Sequence, residues 1–128
     1  MSGSTAVLRV LVADDDPLIR SLLQNVLAQL GYSHQVVESG ASAIEECGKG
    51  GYSVLILDLE IGEPNGFKVI ARLRAAGDQI PVILMSGSFS PETLPKVSKA
   101  QGVTCIAKPF DIVTLEAAIK RSIGARHG

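Results

Sequence analysis

The sequence predicts one α/β domain in which helices cover both faces of a parallel, doubly wound sheet, giving three layers. Five apolar runs of strand length alternate with segments of helical periodicity, which is the pattern of repeated β-α units. Three of these runs, around Val10, Leu55 and Ile83, are apolar at nearly every position. Continuous apolar runs are typical of parallel strands buried on both faces, so these three strands are expected in the middle of the sheet.

The strands and helices are predicted in turn along the chain. The strands are residues 8–13, a weaker run at 33–37, then 54–57, 80–85 and 103–107. The first helix follows Asp16, a predicted N-cap, and Pro17, and Gly31 ends it. One face of this helix is predicted to carry Leu18, Leu22, Leu23, Val26, Leu27 and Leu30. Further helices are predicted at 41–47, 67–75, around 96–100 and at 112–123.

The fourth predicted helix has two proline signals in conflict. Pro91 suits a helix start, whereas Pro95 would remove a backbone hydrogen bond from a helix already under way. We therefore expect this helix to begin late or to kink.

Composition indicates a folded intracellular domain. The chain has 128 residues, 46% hydrophobic and 20% charged, with a net charge of -1, so neither nucleic acid nor a membrane is an expected direct partner. Cys47 and Cys105 form no CxxC pair and have no histidine at metal-ligand spacing, which favours free thiols in a reducing compartment. With no secretory signal at the start, the cytoplasm is expected. The domain should span 8–123, between a flexible segment at 1–7 and a tail at 124–128.

Polar residues follow the apolar strands where the chain leaves the sheet. Asp14, Asp15 and Asp16 follow the first strand, and single polar residues follow the third, fourth and fifth: Asp58, Ser86 and Lys108. Ligands of open parallel sheets bind at the carboxyl ends of the strands. Carboxylates brought together there would repel one another unless a hard cation neutralised them, and Mg²⁺ prefers such oxygen ligands.

This arrangement suits phosphoryl transfer. Asp58 could act as the oxygen nucleophile, with a metal ion on Asp15 and Asp58. The Lys108 ammonium and the Ser86 hydroxyl would stabilise charge on the phosphoryl oxygens. Each residue alone also has a structural explanation: Asp16 as a helix cap, the other acids as turn residues, and Lys108 as a surface residue. The combination favours the functional interpretation.

The sequence resembles a response-regulator receiver domain over about residues 8–123. The matching segments are Leu11-Val12-Ala13-Asp14-Asp15-Asp16, Leu55-Ile56-Leu57-Asp58 with Gly66 eight residues on, Ser86, and Lys108-Pro109-Phe110. The resemblance implies a flavodoxin-like (βα)5 fold with strand order 2-1-3-4-5. It also implies a switch in two-component or phosphorelay signalling that catalyses only its own phosphorylation and dephosphorylation, and is not otherwise an enzyme.

The resemblance assigns roles to individual residues. Asp58 would receive a phosphoryl group from a sensor histidine kinase or a histidine phosphotransfer protein. Mg²⁺, with Mn²⁺ as a substitute, would be held by Asp15, Asp58 and the backbone carbonyl of Glu60, and by Asp14 mainly through water. Lys108 would bind a phosphoryl oxygen, and Ser86 would move to hydrogen-bond another.

Three further positions matter for the output of such a switch. The fourth helix, fifth strand and fifth helix would form the surface that binds a downstream protein. Cys105 occupies the relay position where the family typically has an aromatic residue, so the usual ring movement is in doubt. Glu60 and Ser88 lie where the family tunes the rate at which water attacks the phosphoryl group. The loop after Asp58 also departs from the family, with Ile61-Gly62 in place of Met-Pro.

Three alternatives stay open at this point. A haloacid-dehalogenase-type phosphatase would use Asp14 as nucleophile but leaves Asp58 unexplained. A flavodoxin-like cofactor binder would share the architecture, yet three acids at the first strand end disfavour phosphate without a metal. A receiver-like module that binds proteins without being phosphorylated would keep the fold. It would not need the five side chains assigned to the site, which are Asp14, Asp15, Asp58, Ser86 and Lys108.

Overall fold

A computed structural model of the chain describes residues 8–88 and 102–127, with side chains up to residue 124. The predicted segment 1–7 and the predicted helix around 96–100 therefore lie outside the described residues. Within the described residues, no helix is long and apolar enough to cross a membrane.

The described chain forms five strands and four helices in alternation up to β4. They are β1 (Arg9–Ala13), α1 (Pro17–Gln29), β2 (Ser33–Val37), α2 (Gly40–Lys49), β3 (Val54–Asp58), α3 (Gly66–Ala75), β4 (Val82–Ser86), β5 (Val103–Ala107) and a C-terminal helix (Ile112–His127). All neighbouring strands pair in parallel, in the order β2-β1-β3-β4-β5. The strand order implied by the resemblance and the three central strands predicted from their apolar runs are confirmed.

Two apolar layers, one on each face of the sheet, make up the core. Alternate residues of each central strand point to opposite faces. Leu11, Leu55 and Leu84 pack with α2 and α3 on one face, whereas Val10 and Ile83 pack with α1 and the C-terminal helix on the other. The three-layer architecture is thus confirmed, and the carboxyl ends of all five strands share one edge.

The caps of α1 agree with the sequence, but its buried face is narrower than predicted. The Asp16 carboxylate accepts a hydrogen bond from the Leu18 amide at 2.9 Å, and Gly31 ends the helix with φ +84°. Leu18 is 77% exposed and Leu22 is 46% exposed, so only part of the apolar face predicted from the spacing packs against the core. Successive residues are about 100° apart, which puts Leu18 about 140° around the helix from buried Leu23.

The C-terminal helix continues to His127, four residues past its predicted end at Ile123. The prediction of a tail beginning at Gly124 was therefore wrong as far as His127. A glycine inside a helix costs only about 1 kcal/mol relative to alanine. Ala125 and Arg126 are good helix formers, so they favour continuation beyond Gly124.

The two kinds of leucine on α1 provide a matched test of the core. Leu27→Ala should lower the free energy of unfolding by about 2–5 kcal/mol, because it opens a cavity at a fully buried position. Leu18→Ala should change it by less than about 0.5 kcal/mol, because the side chain is exposed. Urea denaturation of both variants measures the difference; equal losses would contradict the packing described for α1.

Candidate functional site

The sheet brings the predicted polar residues to its carboxyl edge. Asp14 directly follows β1, and Lys108 directly follows β5. Asp58 and Ser86 are the last residues of β3 and β4 rather than the residues after them. Because these four strands are adjacent, side chains that are far apart in sequence meet at one site.

Three carboxylates form an acidic cluster at this edge. Asp14, Asp15 and Asp58 each place a carboxylate oxygen within 4.8 Å of the others. Asp14 is completely buried and Asp58 is 4% exposed, whereas Asp15 is exposed. Oxygen donors of this kind match the ligands that Mg²⁺ prefers, and an exposed third acid leaves room for the waters that Mg²⁺ retains.

Backbone groups fix the two buried carboxylates. One carboxylate oxygen of Asp14 accepts a hydrogen bond from the Asp16 amide at 2.9 Å. The main chain of Asp14 is held separately, because the Arg20 side chain donates to its backbone carbonyl at 2.9 Å. The Glu60 amide donates to Asp58 Oδ1 at 3.2 Å. These bonds orient the acids but leave other oxygen lone pairs available to a ligand.

Lys108 links the two buried acids. Its Nζ lies 3.1 Å from Asp14 Oδ2 and 3.3 Å from Asp58 Oδ1. Burial disfavours the ammonium, but the adjacent Asp14 and Asp58 carboxylates outweigh it and raise the pKa of Lys108. The Lys108 amide also donates to the Ser86 carbonyl at 2.8 Å, which ties the lysine to the end of β4.

Asp58 is the carboxylate of the cluster whose ionised form is disfavoured by its surroundings. Burial raises the pKa of Asp58, and the Asp14 charge adds to this, while Lys108 and the Glu60 amide oppose it. The net rise means that ionised Asp58 is less favourable in the folded chain than in the unfolded chain. A cation or an added positive charge at the cluster would reverse that balance.

Ser86 lies beside the cluster and is engaged by the loop after β3. Its hydroxyl donates to Glu60 Oε2 at 2.6 Å, and the Ser88 amide donates to Ser86 Oγ at 3.0 Å. The sequence placed Glu60 and Ser88 near the site, but it did not predict that the Glu60 side chain contacts Ser86. The two residues are 26 positions apart, and no spacing motif relates them.

A glycine permits the close approach of α3 to the site. A Cβ on Gly66 would lie 2.8 Å from Leu59 Cα and 3.0 Å from Leu84 Cδ1, too close for any larger residue without a shift. The Gly66 amide donates to the Leu59 carbonyl at 2.9 Å. The loop between Asp58 and α3 is thereby closed against the ends of β3 and β4.

Cys105 is only half-buried and lies on the α2-α3 side of the sheet. It packs against the core on that face and is paired in register with Leu84. Burial raises the pKa of its thiol, so the neutral thiol is favoured. Its assignment as the relay position stays a prediction.

A family model for the response regulator receiver domain matches residues 10–120. The chain belongs to the response regulator receiver family. It is a receiver domain of two-component response regulators, a family whose standard function is to be phosphorylated by a kinase.

Curated relatives are much longer than this receiver. The chain is 29% identical over 123 residues to the DNA-binding transcriptional regulator NtrC of Rhizobium meliloti, covering 96% of this chain and 25% of the relative. It is 27% identical to the transcriptional regulatory protein ZraR of Escherichia coli, covering 92% of this chain and 27% of the relative. The receiver thus spans about a quarter of the length of these relatives.

Solved structures share the fold over nearly their whole length. The receiver domain of the Francisella response regulator 1452 superposes with a TM-score of 0.86 at 26% identity, covering 93% of this chain and 98% of that chain. The Vibrio cholerae chemotaxis protein CheY4 superposes with a TM-score of 0.83 at 24% identity, covering 91% and 98%. The second likeness concerns the fold alone.

The raised pKa of Asp58 predicts a stability change with a definite sign. Its pKa in the folded receiver lies above the ordinary value of 3.8, so ionised Asp58 costs stability at neutral pH, and the cost disappears as pH falls through the raised pKa toward 3.8. In chelator at pH 7, Asp58→Asn should raise Tm, by roughly 4 °C for each kcal/mol of relieved repulsion. Thermal melts as a function of pH should show this gain shrinking in acid.

Asp111→Asn is the matched control for that experiment. A hydrogen bond from the Thr114 amide lowers the pKa of Asp111, so its charge is favoured by folding and the substitution should not raise Tm at pH 7. If Asp58→Asn lowered Tm at pH 7, or if its gain persisted unchanged at pH 3, the repulsion assigned to Asp58 would be wrong.

Proposed function

We propose that this receiver accepts a phosphoryl group on Asp58 in a Mg²⁺-dependent reaction and then binds a downstream protein. One observation carries the proposal: Asp58 meets two further carboxylates and the Lys108 ammonium at the carboxyl edge of the sheet. An oxygen of Asp58, the proposed nucleophile, therefore lies beside positive charge and beside oxygen ligands suited to a cation.

The side chains divide the work of transfer. An oxygen of Asp58 forms the new bond to phosphorus while the bond from phosphorus to the donor imidazole nitrogen breaks. The donor imidazole, protonated on its other ring nitrogen before transfer, takes the electron pair of that bond and leaves as neutral histidine. Lys108 is within reach of Asp58, so its ammonium would contact an oxygen of the transferred group. Ser86 would donate a hydrogen bond from its hydroxyl to another phosphoryl oxygen. Neither residue needs to give up a proton to the reaction.

Asp15, Asp58 and the Glu60 carbonyl would hold the metal, with Asp14 acting mainly through water. The fit rests on the cluster itself, because carboxylate oxygens that lie within 4.8 Å of one another repel unless a cation joins them. When bound, Mg²⁺ would neutralise charge on the phosphoryl oxygens. Mn²⁺ shares this preference for oxygen ligands and would substitute.

The donor would be a sensor histidine kinase or a histidine phosphotransfer protein, and the output a protein contact. The net charge of -1 gives the receiver no global attraction to nucleic acid, so any effect on DNA would pass through another domain or a partner. Unpaired Cys47 and Cys105 support a reducing compartment, and we propose the cytoplasm.

The alternatives explain fewer of the observed contacts. A phosphatase that used Asp14 would need an available carboxylate oxygen, but Asp14 Oδ1 accepts the Asp16 amide and Asp14 Oδ2 contacts Lys108. The contacts of Asp58 with Glu60 and Lys108, by contrast, both involve Oδ1. A module that only bound proteins would gain nothing from an acidic cluster that raises the pKa of Asp58. We therefore propose that the receiver catalyses its own phosphorylation and dephosphorylation and no separate reaction.

Intact mass after incubation with Mg²⁺ and acetyl phosphate tests phosphoryl acceptance. The parent should gain one phosphoryl group, and Asp58→Asn should gain none because it lacks the nucleophilic carboxylate. Asp16→Asn is the matched control; it changes a neighbouring exposed aspartate but keeps a good N-cap, and it should be phosphorylated like the parent. Equal addition to Asp58→Asn, or none to folded parent protein, would contradict the assignment.

Four exposed apolar side chains lie near the starts of two helices that leave the carboxyl edge of the sheet. Leu18 and Leu22 lie near the start of α1, and Ile112 and Val113 begin the C-terminal helix; these are the large apolar residues that the described chain exposes most. Both helices start from the carboxyl edge and pack on the same face of the sheet. Because direct transfer requires the donor histidine to reach Asp58, we propose that the donor protein docks on these residues.

Leu18→Ala separates docking from chemistry. It should slow transfer from the phosphorylated donor protein about tenfold, because a partly buried anchor at an interface contributes about 1–2 kcal/mol. Phosphorylation by acetyl phosphate should be unchanged, since a small donor makes no such contact. Loss of both rates together would show that the substitution disturbs the site and not the docking surface.

A further inference from the structure

The Ser86 hydroxyl already donates a hydrogen bond to another side chain in the described structure. Ser86 is completely buried, and its Oγ donates to the exposed Glu60 carboxylate at 2.6 Å. Ser88 supports the same arrangement: its amide donates to Ser86 Oγ at 3.0 Å, and its hydroxyl lies 3.3 Å from Glu60 Oε2. The Glu60 carboxylate thus lies against the hydroxyl of Ser86, the last residue of β4.

A serine hydroxyl has one proton to donate. Ser86 cannot therefore donate to Glu60 and to a phosphoryl oxygen on Asp58 at the same time. Hydrogen bonds from a hydroxyl to a carboxylate are typically about 2.5–2.7 Å long and are roughly twice as strong as those between neutral groups. The bond to Glu60 is in this range, so giving it up has a free-energy cost.

We propose that the Glu60 side chain is an acidic latch, a positioning residue that holds the Ser86 proton away from Asp58 until a phosphoryl group competes for it. This inference rests on the proposed function, because it gives the phosphoryl group the competing role. The bond between Glu60 and Ser86 sets the free energy that the phosphoryl group must supply to redirect the Ser86 hydroxyl. It therefore sets how completely phosphorylation switches the receiver.

The surroundings of Glu60 allow the latch to open. Its side chain is exposed, so a released carboxylate passes directly into water and needs no new protein partner. Its amide remains bonded to Asp58 Oδ1, which keeps the backbone of the loop in place. A side-chain substitution at Glu60 therefore removes the latch while leaving the backbone carbonyl, the proposed metal ligand, unchanged.

A double-mutant cycle with beryllofluoride, a phosphoryl mimic, tests the latch in the presence of Mg²⁺. Calorimetric titration gives Kd for the parent, Glu60→Ala, Ser86→Ala and the double variant. Glu60→Ala should tighten binding about tenfold in the parent background, the scale of one hydrogen bond to a charged group. In the Ser86→Ala background, where no hydroxyl proton is held, the same substitution should leave Kd unchanged.

Glu63→Ala is the matched control for loss of negative charge in the same loop. Glu63 pairs with Lys68 at 2.7 Å, away from Ser86, and its removal should leave Kd unchanged. Glu60→Gln keeps an acceptor oxygen without the charge, so its Kd should fall between those of the parent and Glu60→Ala.

Two results would overturn the latch while leaving phosphoryl acceptance intact. If Glu60→Ala tightens binding equally with and without the Ser86 hydroxyl, the carboxylate acts by repelling the anion and not by holding a proton. If Glu60→Ala leaves Kd unchanged or weakens binding in the parent background, Glu60 holds nothing that the phosphoryl group needs. If the folded parent binds no beryllofluoride and gains no mass from acetyl phosphate, the proposed function fails and the latch fails with it.

Discussion

The site depends on the repulsion between two carboxylates that the fold withdraws from water. Asp14 and Asp58 share the carboxyl edge of the sheet with their oxygens within 4.8 Å. Two like charges about 5 Å apart repel by roughly 3 kcal/mol at an effective dielectric constant of 20. Lys108 contacts both and offsets part of this cost, yet the pKa of Asp58 remains raised. Additional positive charge near Asp58 would therefore stabilise the folded receiver.

The strand order explains how Lys108 and Ser86 reach the same edge of the sheet as Asp58. Because β4 lies between β3 and β5, the Lys108 side chain must pass the end of β4 to reach Asp58. Ser86 ends β4 under that path, and its carbonyl accepts the Lys108 amide. In the proposed reaction, a group added to Asp58 would meet both the Lys108 ammonium and the Ser86 hydroxyl. Glu60, two residues beyond Asp58, determines whether that hydroxyl is available.

Sequence reasoning predicted most of the fold and the convergence of the charged residues, since both follow from local pattern and parallel topology. The apolar runs identified the central strands, and the strand-end rule brought Asp14, Asp58 and Lys108 together. Periodicity failed where it treated all leucines alike, because Leu18 lies at the edge of the apolar stripe and is exposed. The last helix was also predicted to end at Ile123, before Gly124, although flanking helix formers continue the helix through that glycine.

The contact between Glu60 and Ser86 lay beyond sequence reasoning for a different reason. It depends on side-chain conformations at two loop positions 26 residues apart, and neither residue type nor spacing specifies these. Strand order brings the two backbones close, but it does not determine whether the exposed Glu60 carboxylate contacts Ser86 or only water. The residues that tune a site are in this respect harder to predict than those that define it.

The acidic cluster should bind a divalent cation that relieves the repulsion at Asp58, and a Mg²⁺ titration of Tm at pH 7 tests this most directly. Mg²⁺ should raise Tm of the parent progressively, as a ligand that binds only the folded state does. It should raise Tm of Asp58→Asn far less, because one ligand and the repulsion it relieves are both gone. An equal rise in the two proteins, or no rise in the parent at millimolar Mg²⁺, would contradict the account.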